Sequence, residues 1–265
     1  MLKLFPRVTL GLCCLGLISA AHAEIDVNDL VKESEKVAYY SGDDGRSDAR
    51  MMIVDSQGRK QMRQFTILRK DVTDNGDQQM MVFFSRPSDV KDTVFRVEKH
   101  ASLDQDDDRW LYLPALDLVK RISAGDKRTS FVGSHFFYED VSGRAITEDS
   151  FVLEQETDTQ YILKATPKKP DSVEFDYYRV SIDKTSKLPV LIDFFKGEND
   201  NYRRVEAVQI EEIQGFPTVV RSKVSDLTSG AYTLMEFRNI SYDIGLDSDV
   251  FSERSLRNPP RQWLD

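Results

Sequence analysis

Cysteine is nearly missing from this 265-residue sequence, and its two copies, Cys13 and Cys14, sit side by side in the first 23 residues. Beyond residue 23, disulfide scaffolding and Cys-built metal sites are both excluded. Histidine is scarce as well: only His100 and His135 follow that point. Two imidazoles alone make a weak metal site, so no metal and no cofactor is implied. Positive charge is in deficit, with 36 Lys and Arg against 45 Asp and Glu. That net charge of −9 excludes a basic footprint for nucleic acid, which needs Lys and Arg in clustered excess. With 13 Gly and 9 Pro the chain is neither collagen-like nor low in complexity. A mean hydropathy of −0.45 excludes a polytopic membrane protein. No Gly-x-Ser-x-Gly occurs, and Ser134 and His135 are adjacent, so they point apart on a strand. The chain therefore reads as non-enzymatic.

One apolar run stands out, from Val8 to Ala20. Lys3 and Arg7 precede it, and Ala21-His22-Ala23 follows with small residues at the outer positions. This is the pattern of a secretory signal cleaved after Ala23; the run falls short of the ~20 residues that span a bilayer. Lipid attachment at Cys14 would want small residues ahead of it, and Leu12-Cys13 does not supply them. Removing residues 1–23 takes away two basic residues and no acidic one, leaving 242 residues at −11. The expectation is an exported bacterial protein of the periplasm, soluble, and large enough to build a core without disulfides.

Residues 24–265 read as a single domain. Val27, Leu30, Val31, Val37 and Ala38 recur at helical spacing over 26–40, with Asp26 or Asn28 as the cap. Short alternating segments then follow at 50–55, 60–70, 78–86, 93–99, 109–113 and 118–122, and from residue 150 at 151–155, 160–165, 173–182, 189–195, 203–213, 218–224 and 231–240. Turn signals such as Asp55-Ser56-Gln57-Gly58 and Lys196-Gly197-Glu198-Asn199-Asp200 separate them. The fold class is mainly β (α+β): a large curled antiparallel sheet, a helix before it, and helical or irregular turns near 123–145. A sheet this large has to curl or close, and its concave apolar face has to be covered by the protein's own segments or by a ligand.

The most informative stretch is 109–140. In 109–113, Trp110 and Tyr112 share one face with Pro114, and Leu111 and Leu113 share the other. Both faces are apolar, so this strand is expected to be central and covered on both sides. Phe131-Val132-Gly133-Ser134-His135-Phe136-Phe137-Tyr138-Glu139-Asp140 follows, dense in aromatic rings. Any one of these rings could be plain core packing; together they could line an apolar cavity, with Tyr and Trp as polar handles. Asp104-Gln105-Asp106-Asp107-Asp108 begins like a calcium loop, but Arg109 and Ala115 stand where Gly and Glu are needed. Gly125-Asp126-Lys127-Arg128-Thr129-Ser130 lacks the first Gly of a phosphate loop. Lys120, Arg121, Lys127 and Arg128 do form a small basic patch in an acidic chain, suited to a solvated loop, a partner or anionic head groups.

Trp110-Leu111-Tyr112-Leu113-Pro114-Ala115-Leu116, Lys120-Arg121-Ile122 and the 131–140 run, with Arg86-Pro87-Ser88-Asp89-Val90-Lys91-Asp92-Thr93 ahead of them, resemble the outer membrane lipoprotein-sorting protein family. That family belongs to the superfamily of the periplasmic lipoprotein carrier LolA. This chain departs from the pattern at His135, where an Asp is usual, and at Asp92, where a Gly is usual. The resemblance implies an unclosed half-barrel with a helix-lidded concave face that carries the acyl chains of a lipoprotein or lipid toward the outer membrane. It also implies an inner-membrane transporter of the RND or ABC type and an outer-membrane acceptor as partners. Trp110, Tyr112, Phe131, Phe136 and Tyr138 become the expected cavity or lid contacts. Phe83, Phe95 and Leu111 are alternates, because a slip of one residue inverts a strand's faces. The other reading is an accessory module that docks on a transporter, its concave face filled by its own side chains.

Overall fold

A computed structural model describes residues 25–73, 76–102 and 105–264. The signal segment 1–23 and its cleavage site lie outside the described residues, as does Asp104. Asp26 caps the first helix, α1 (Val27–Tyr39): its carboxylate accepts hydrogen bonds from the N–H groups of Asn28 at 2.9 Å and Asp29 at 3.3 Å. Leu30 and Val31 are buried on one side of this helix, as its amphipathic spacing requires.

Thirteen strands follow: β1 (Asp44–Val54), β2 (Lys60–Asp71), β3 (Gln78–Arg86), β4 (Val94–Lys99), β5 (Asp108–Leu113) and β6 (Leu118–Ile122) come first. Then come β7 (Asp149–Glu156), β8 (Gln160–Pro167), β9 (Tyr177–Asp183), β10 (Pro189–Lys196), β11 (Asp200–Ile213), β12 (Phe216–Asp226) and β13 (Tyr232–Tyr242). Two short helices complete the chain, α2 (Tyr138–Ser142) and α3 (Arg254–Arg257). The sheet starts earlier than the alternation suggests: β1 takes in Asp44 and Gly45, which read as a turn in the sequence, because they pair with Lys70 and Arg69 of β2. Conversely, 173–176 is not strand, since Pro170 opens a 3-10 turn there.

All thirteen strands form one antiparallel sheet in the order β6-β5-β4-β3-β2-β1-β13-β12-β11-β10-β9-β8-β7. Every neighbour in this order is also a neighbour in sequence except β1 and β13, which pair in the middle, with Met51 opposite Met235. The two edges are therefore β6 and β7, which are consecutive in the chain but not hydrogen-bonded to each other. The sheet is an unclosed half-barrel. Its connector, 123–148, has to cross from one edge to the other, and it does so over the concave face. This is why the densest aromatic run of the sequence becomes a lid.

Phe131 is fully buried. Its ring lies 5.4 Å from Phe95 and 5.5 Å from Tyr138 between centroids, with Phe84 at 5.7 Å and Phe65 at 6.3 Å. These rings, with Leu111, Ile122 and Phe136, make one concave core under β1–β5. A tight turn aims the lid: Val132 and Gly133 both have positive φ, 47° and 80°, and Ser134 N–H bonds the Phe131 carbonyl at 3.0 Å. Asp92, where the family pattern has Gly, also adopts a left-handed φ of 62°, a conformation that Asp tolerates better than most residues. A second concave core lies under β7–β10, where Leu30 and Val31 of α1 meet Leu163, Tyr178, Val180 and Phe194.

The opposite, convex face carries a third core, centred under β2–β5. There the segment after β13 places Leu246, Val250, Phe251 and Leu256 on Leu68, Met81, Phe83 and Val94. Four side chains hold this strap through its backbone, one of them Arg46, which donates to the Trp263 carbonyl at 2.7 Å. The buried Asp44 carboxylate accepts the N–H groups of Ile244 at 2.7 Å, Gly245 at 3.3 Å and Leu246. Lys70 donates to the Leu246 carbonyl at 2.6 Å, and Arg96 to that of Phe251 at 2.8 Å. The strap explains a strand position that the sequence misplaces. β5 is not central but next to the edge, and it is apolar on both faces because lid and strap cover it from opposite sides.

Candidate functional site

The concave face is not completely filled. Between the C-terminal half of α1, the lid helix α2 and the middle strands lies a cavity of about 360 Å³. Ala38, Ile67, Met80, Phe136, Val205 and Met235 contribute apolar walls, and Arg69, Gln78, Asp140 and Tyr242 lie among its polar lining. An apolar pocket with a few polar groups, in the range of about 300–1,000 Å³, is the usual form of a small-molecule site. The roof is fixed at α1, where Gln78 donates to the Tyr39 carbonyl at 2.8 Å and Arg69 to that of Gly42 at 2.9 Å. Burial, and then the carboxylates of Asp140, Glu35 and Glu139, push the Tyr39 hydroxyl far above its ordinary value, so it stays neutral.

Charged side chains latch the lid to the sheet. Glu139 of α2 is 2% exposed and meets Lys127 at 3.3 Å, Arg128 at 2.5 Å and Arg144 at 3.1 Å. Burial alone would raise its pKa, but Arg128, Arg144 and Lys127 outweigh burial and hold the carboxyl below its ordinary value. Arg128 also forks onto Glu174, with both contacts at 2.7 Å, and lies over the rings of Phe175, Phe137 and Phe194. Burial opposes ionisation of Glu174 too, yet the Arg128 hydrogen bond and charge bring its pKa down to about 2. Arg144 forks onto Asp149 at 2.7 and 2.9 Å, and Tyr178 donates to that same carboxylate at 2.8 Å. At the far side Arg203 of β11 pairs with Asp140 and donates to the His135 carbonyl at 3.3 Å, while His135 N–H bonds Thr233 Oγ1 at 3.1 Å. Burial, first, lowers the His135 imidazole, so it is neutral near pH 7.

The residues singled out from sequence fall on both sides of the sheet. Phe131, Phe136 and Tyr138 belong to the lid, and Phe95 and Leu111 to the wall it packs on. Of these, only Phe136 borders the 360 Å³ cavity; the others fill the concave face. Trp110, Tyr112 and Phe83 lie on the convex face, which corrects their reading as cavity contacts. Trp110 stacks on the Arg96 guanidinium at 4.5 Å, Tyr112 packs on the strap core, and Phe83 is part of it. The alternation places Trp110 and Tyr112 opposite Leu111, but a period of two does not say which face is concave.

The basic patch is likewise divided. Lys127 and Arg128 do not face solvent for head groups; carboxylates from Glu139, Glu148 and Glu174 surround them. Lys120 and Arg121 are exposed on edge strand β6, Arg121 paired with Asp108. Sequence reading missed Arg109, Arg144, Glu139, Glu174 and Arg203 altogether. One signal was available: Arg109 lies in phase with Leu111 and Leu113, so it belongs to the core face, where it donates to Ser142 Oγ at 3.1 Å. Among the described residues no three His, Cys, Asp or Glu side chains gather in a metal-holding group, and no helix is long and apolar enough to cross a membrane.

A family model described only as an uncharacterized protein matches residues 76–258, from the start of β3 to beyond α3. Among solved structures, a DUF1329 family protein from Desulfovibrio piger is 30% identical with a TM-score of 0.79, over 86% of this chain and 96% of that one. The chain belongs to the DUF1329 family. The same half-barrel appears in a candidate outer membrane lipoprotein-sorting protein domain from Vibrio parahaemolyticus, at 21% identity and a TM-score of 0.76, covering 86% of this chain and 97% of that one. It also appears in a LolA superfamily protein from Nitrosomonas europaea, at 13% identity and 0.66, covering 87% and 99%. This DUF1329 chain therefore has the LolA-like fold. No curated protein matches it in sequence.

Proposed function

We propose that this DUF1329 protein is an exported, non-catalytic carrier in the periplasm that holds part of a lipid or lipoprotein acyl chain in its concave cavity and hands it on toward the outer membrane. The observation that carries the reading is the 360 Å³ apolar cavity between α1, α2 and the middle strands. Each CH₂ buried is worth about 0.8 kcal/mol, so a mostly apolar pocket of this kind can draw a chain out of water without an energy source of its own. The LolA-like fold supports the reading, because the cavity lies where that fold is lidded. An inner-membrane transporter of the RND or ABC type would load the carrier and an outer-membrane acceptor would unload it.

Uptake of a fluorescent fatty-acid probe tests this, alongside lipid extraction and native mass spectrometry of the protein from its own periplasm. Ala207 lines the cavity. Ala207→Trp is expected to cut probe uptake about fifteenfold, for the ~1.6 kcal/mol that two lost CH₂ contacts represent. Trp110→Ala, on the convex face, is expected to leave uptake within about twofold. Equal effects of the two changes, or no uptake by the unaltered chain, would overturn the carrier reading. One observation favours the accessory-module reading instead: Phe131, Phe136 and Tyr138 already fill much of the concave face. Retention of a transporter by the Ala207→Trp protein, with no lipid bound, would support that module.

A further inference from the structure

On the opposite side of the sheet a larger groove, about 1310 Å³, runs between the strap and the convex face of β1–β3 and β13. Its charge is inverted relative to the chain as a whole. Arg46, Arg50, Lys91, Arg238, Arg257 and Arg261 line it, against Asp48, Asp92 and Glu236. In a protein of net charge −9, six cations to three carboxylates is a local reversal. Packing like charges together in this way is unfavourable unless an anion joins them.

Two of the three carboxylates in the groove are already engaged, and of the cations Arg46 pairs with Asp48, Arg238 with Glu236 and Arg257 with Asp117. Asp48 takes Arg46 at 3.0 Å, Thr66 Oγ1 at 2.9 Å and Asn239 at 2.8 Å. Glu236 takes Arg221 at 2.9 Å and Arg238 at 3.6 Å. Arg50 faces Glu236 across the strand pair but makes no ion pair among the described residues, and neither does Lys91. Five of the six cations are Arg, whose planar fork matches the paired oxygens of a phosphate better than the point charge of Lys does. The floor is apolar and aromatic, from Phe83, Val94 and Tyr112. A volume above the usual small-molecule range, with cations at the rim and rings beneath, suits an amphiphile with a bulky anionic head rather than a bare ion.

We propose that this convex groove binds the phosphate-bearing head group of an amphiphile, with Arg50, Lys91 and Arg238 on the phosphate and Phe83 and Tyr112 beneath the adjoining groups. It is a second site, on the opposite face from the concave cavity, and it stands whether or not an acyl chain enters that cavity.

The test is co-sedimentation of the full exported chain with vesicles of phosphatidylglycerol and phosphatidylcholine, and with phosphatidylcholine alone. A parallel titration uses inorganic phosphate. The double variant Arg50→Glu/Arg238→Glu reverses two exposed charges in the groove. Lys32→Glu/Lys168→Glu makes the same charge change elsewhere on the surface, and thermal melts confirm that both variants fold. Binding to the phosphatidylglycerol vesicles is expected to fall at least about tenfold in the first variant and to stay within about twofold in the second. Fatty-acid probe uptake is expected to be unchanged in both, which separates this site from the carrier reading. Equal loss in the two variants would reduce the effect to net charge and overturn the proposal. Binding of inorganic phosphate without vesicle binding would overturn the amphiphile assignment, and absence of both would remove the site.

Discussion

The two faces of β1–β5 are both apolar at their centres, yet they are closed in different ways. On the concave side the cover is the connector between the two sheet edges, and it arrives carrying rings: Phe131 and Tyr138 meet Phe65, Phe84 and Phe95. On the convex side the cover is the segment after the last strand, and it brings mostly aliphatic side chains, with the rings of Phe251 and Trp263. The lid is latched by side-chain ion pairs that converge on buried carboxylates. The strap is held mainly through its backbone, with Asp44, Lys70 and Arg96 bonding its N–H and C=O groups. The lid's latch joins charge to charge, so losing one member leaves a buried partner uncompensated, whereas each strap-holding side chain meets a neutral backbone group. The lid is thus expected to be the more sensitive of the two to substitution.

This contrast can be broken in order of expected effect. Phe131→Ala should destabilise the protein by about 3–5 kcal/mol, since it empties the centre of the concave core. A urea melt showing a loss below about 1 kcal/mol would mean that the lid does not close that core. Glu139→Gln should cost about 3 kcal/mol, because it leaves Lys127, Arg128 and Arg144 around a group that no longer balances them. Trp110→Ala, half-exposed on the convex face, should cost only about 1–2 kcal/mol in the same assay. If it matched Phe131→Ala, the two faces would be equally demanding.

Acid sharpens the comparison further. Glu174 ionises at about 2 in the folded chain, below the ordinary carboxylate value of about 4.3. A depressed folded pKa means that the unfolded chain takes up protons first as pH falls. The pairing with Arg128 therefore contributes fully above about pH 4.3 and is lost between there and pH 2. Thermal melts across that window should fall more steeply for the natural chain than for Glu174→Gln. Parallel curves would show that the latch does not respond to acid. The smallest effect is expected at Arg257, whose exposed pair with Asp117 at 2.7 Å should be worth under about 1 kcal/mol to stability.

Much of this architecture was legible in the residues. Asp26 and the spacing of Leu30 and Val31 mark α1, and period-two alternation marks nearly every strand. What alternation could not give was the strand ends, as at Asp44 and Tyr177, where pairing and a Pro-led turn decided the boundary. The cavity was less legible. Its walls are ordinary residues such as Ala38, Val205 and Met235, drawn from elements distant in sequence, and none carries a motif.

By itself the sequence determined which residues share a face: Trp110 with Tyr112, and Leu111 with Leu113. It also determined that 131–140 is apolar enough to need burial. Tertiary structure alone decided which of those faces is concave. The sheet's curl and the break between β6 and β7 send the aromatic connector to one side, while the strap after β13 takes the other. A repeat of two residues is symmetric between faces, so the choice depends on contacts made by segments far along the chain. The same reason settled the charges. Lys127 and Arg128 look solvated in sequence, and only the convergence of Glu139, Glu148 and Glu174 in space turns them into the lid's latch.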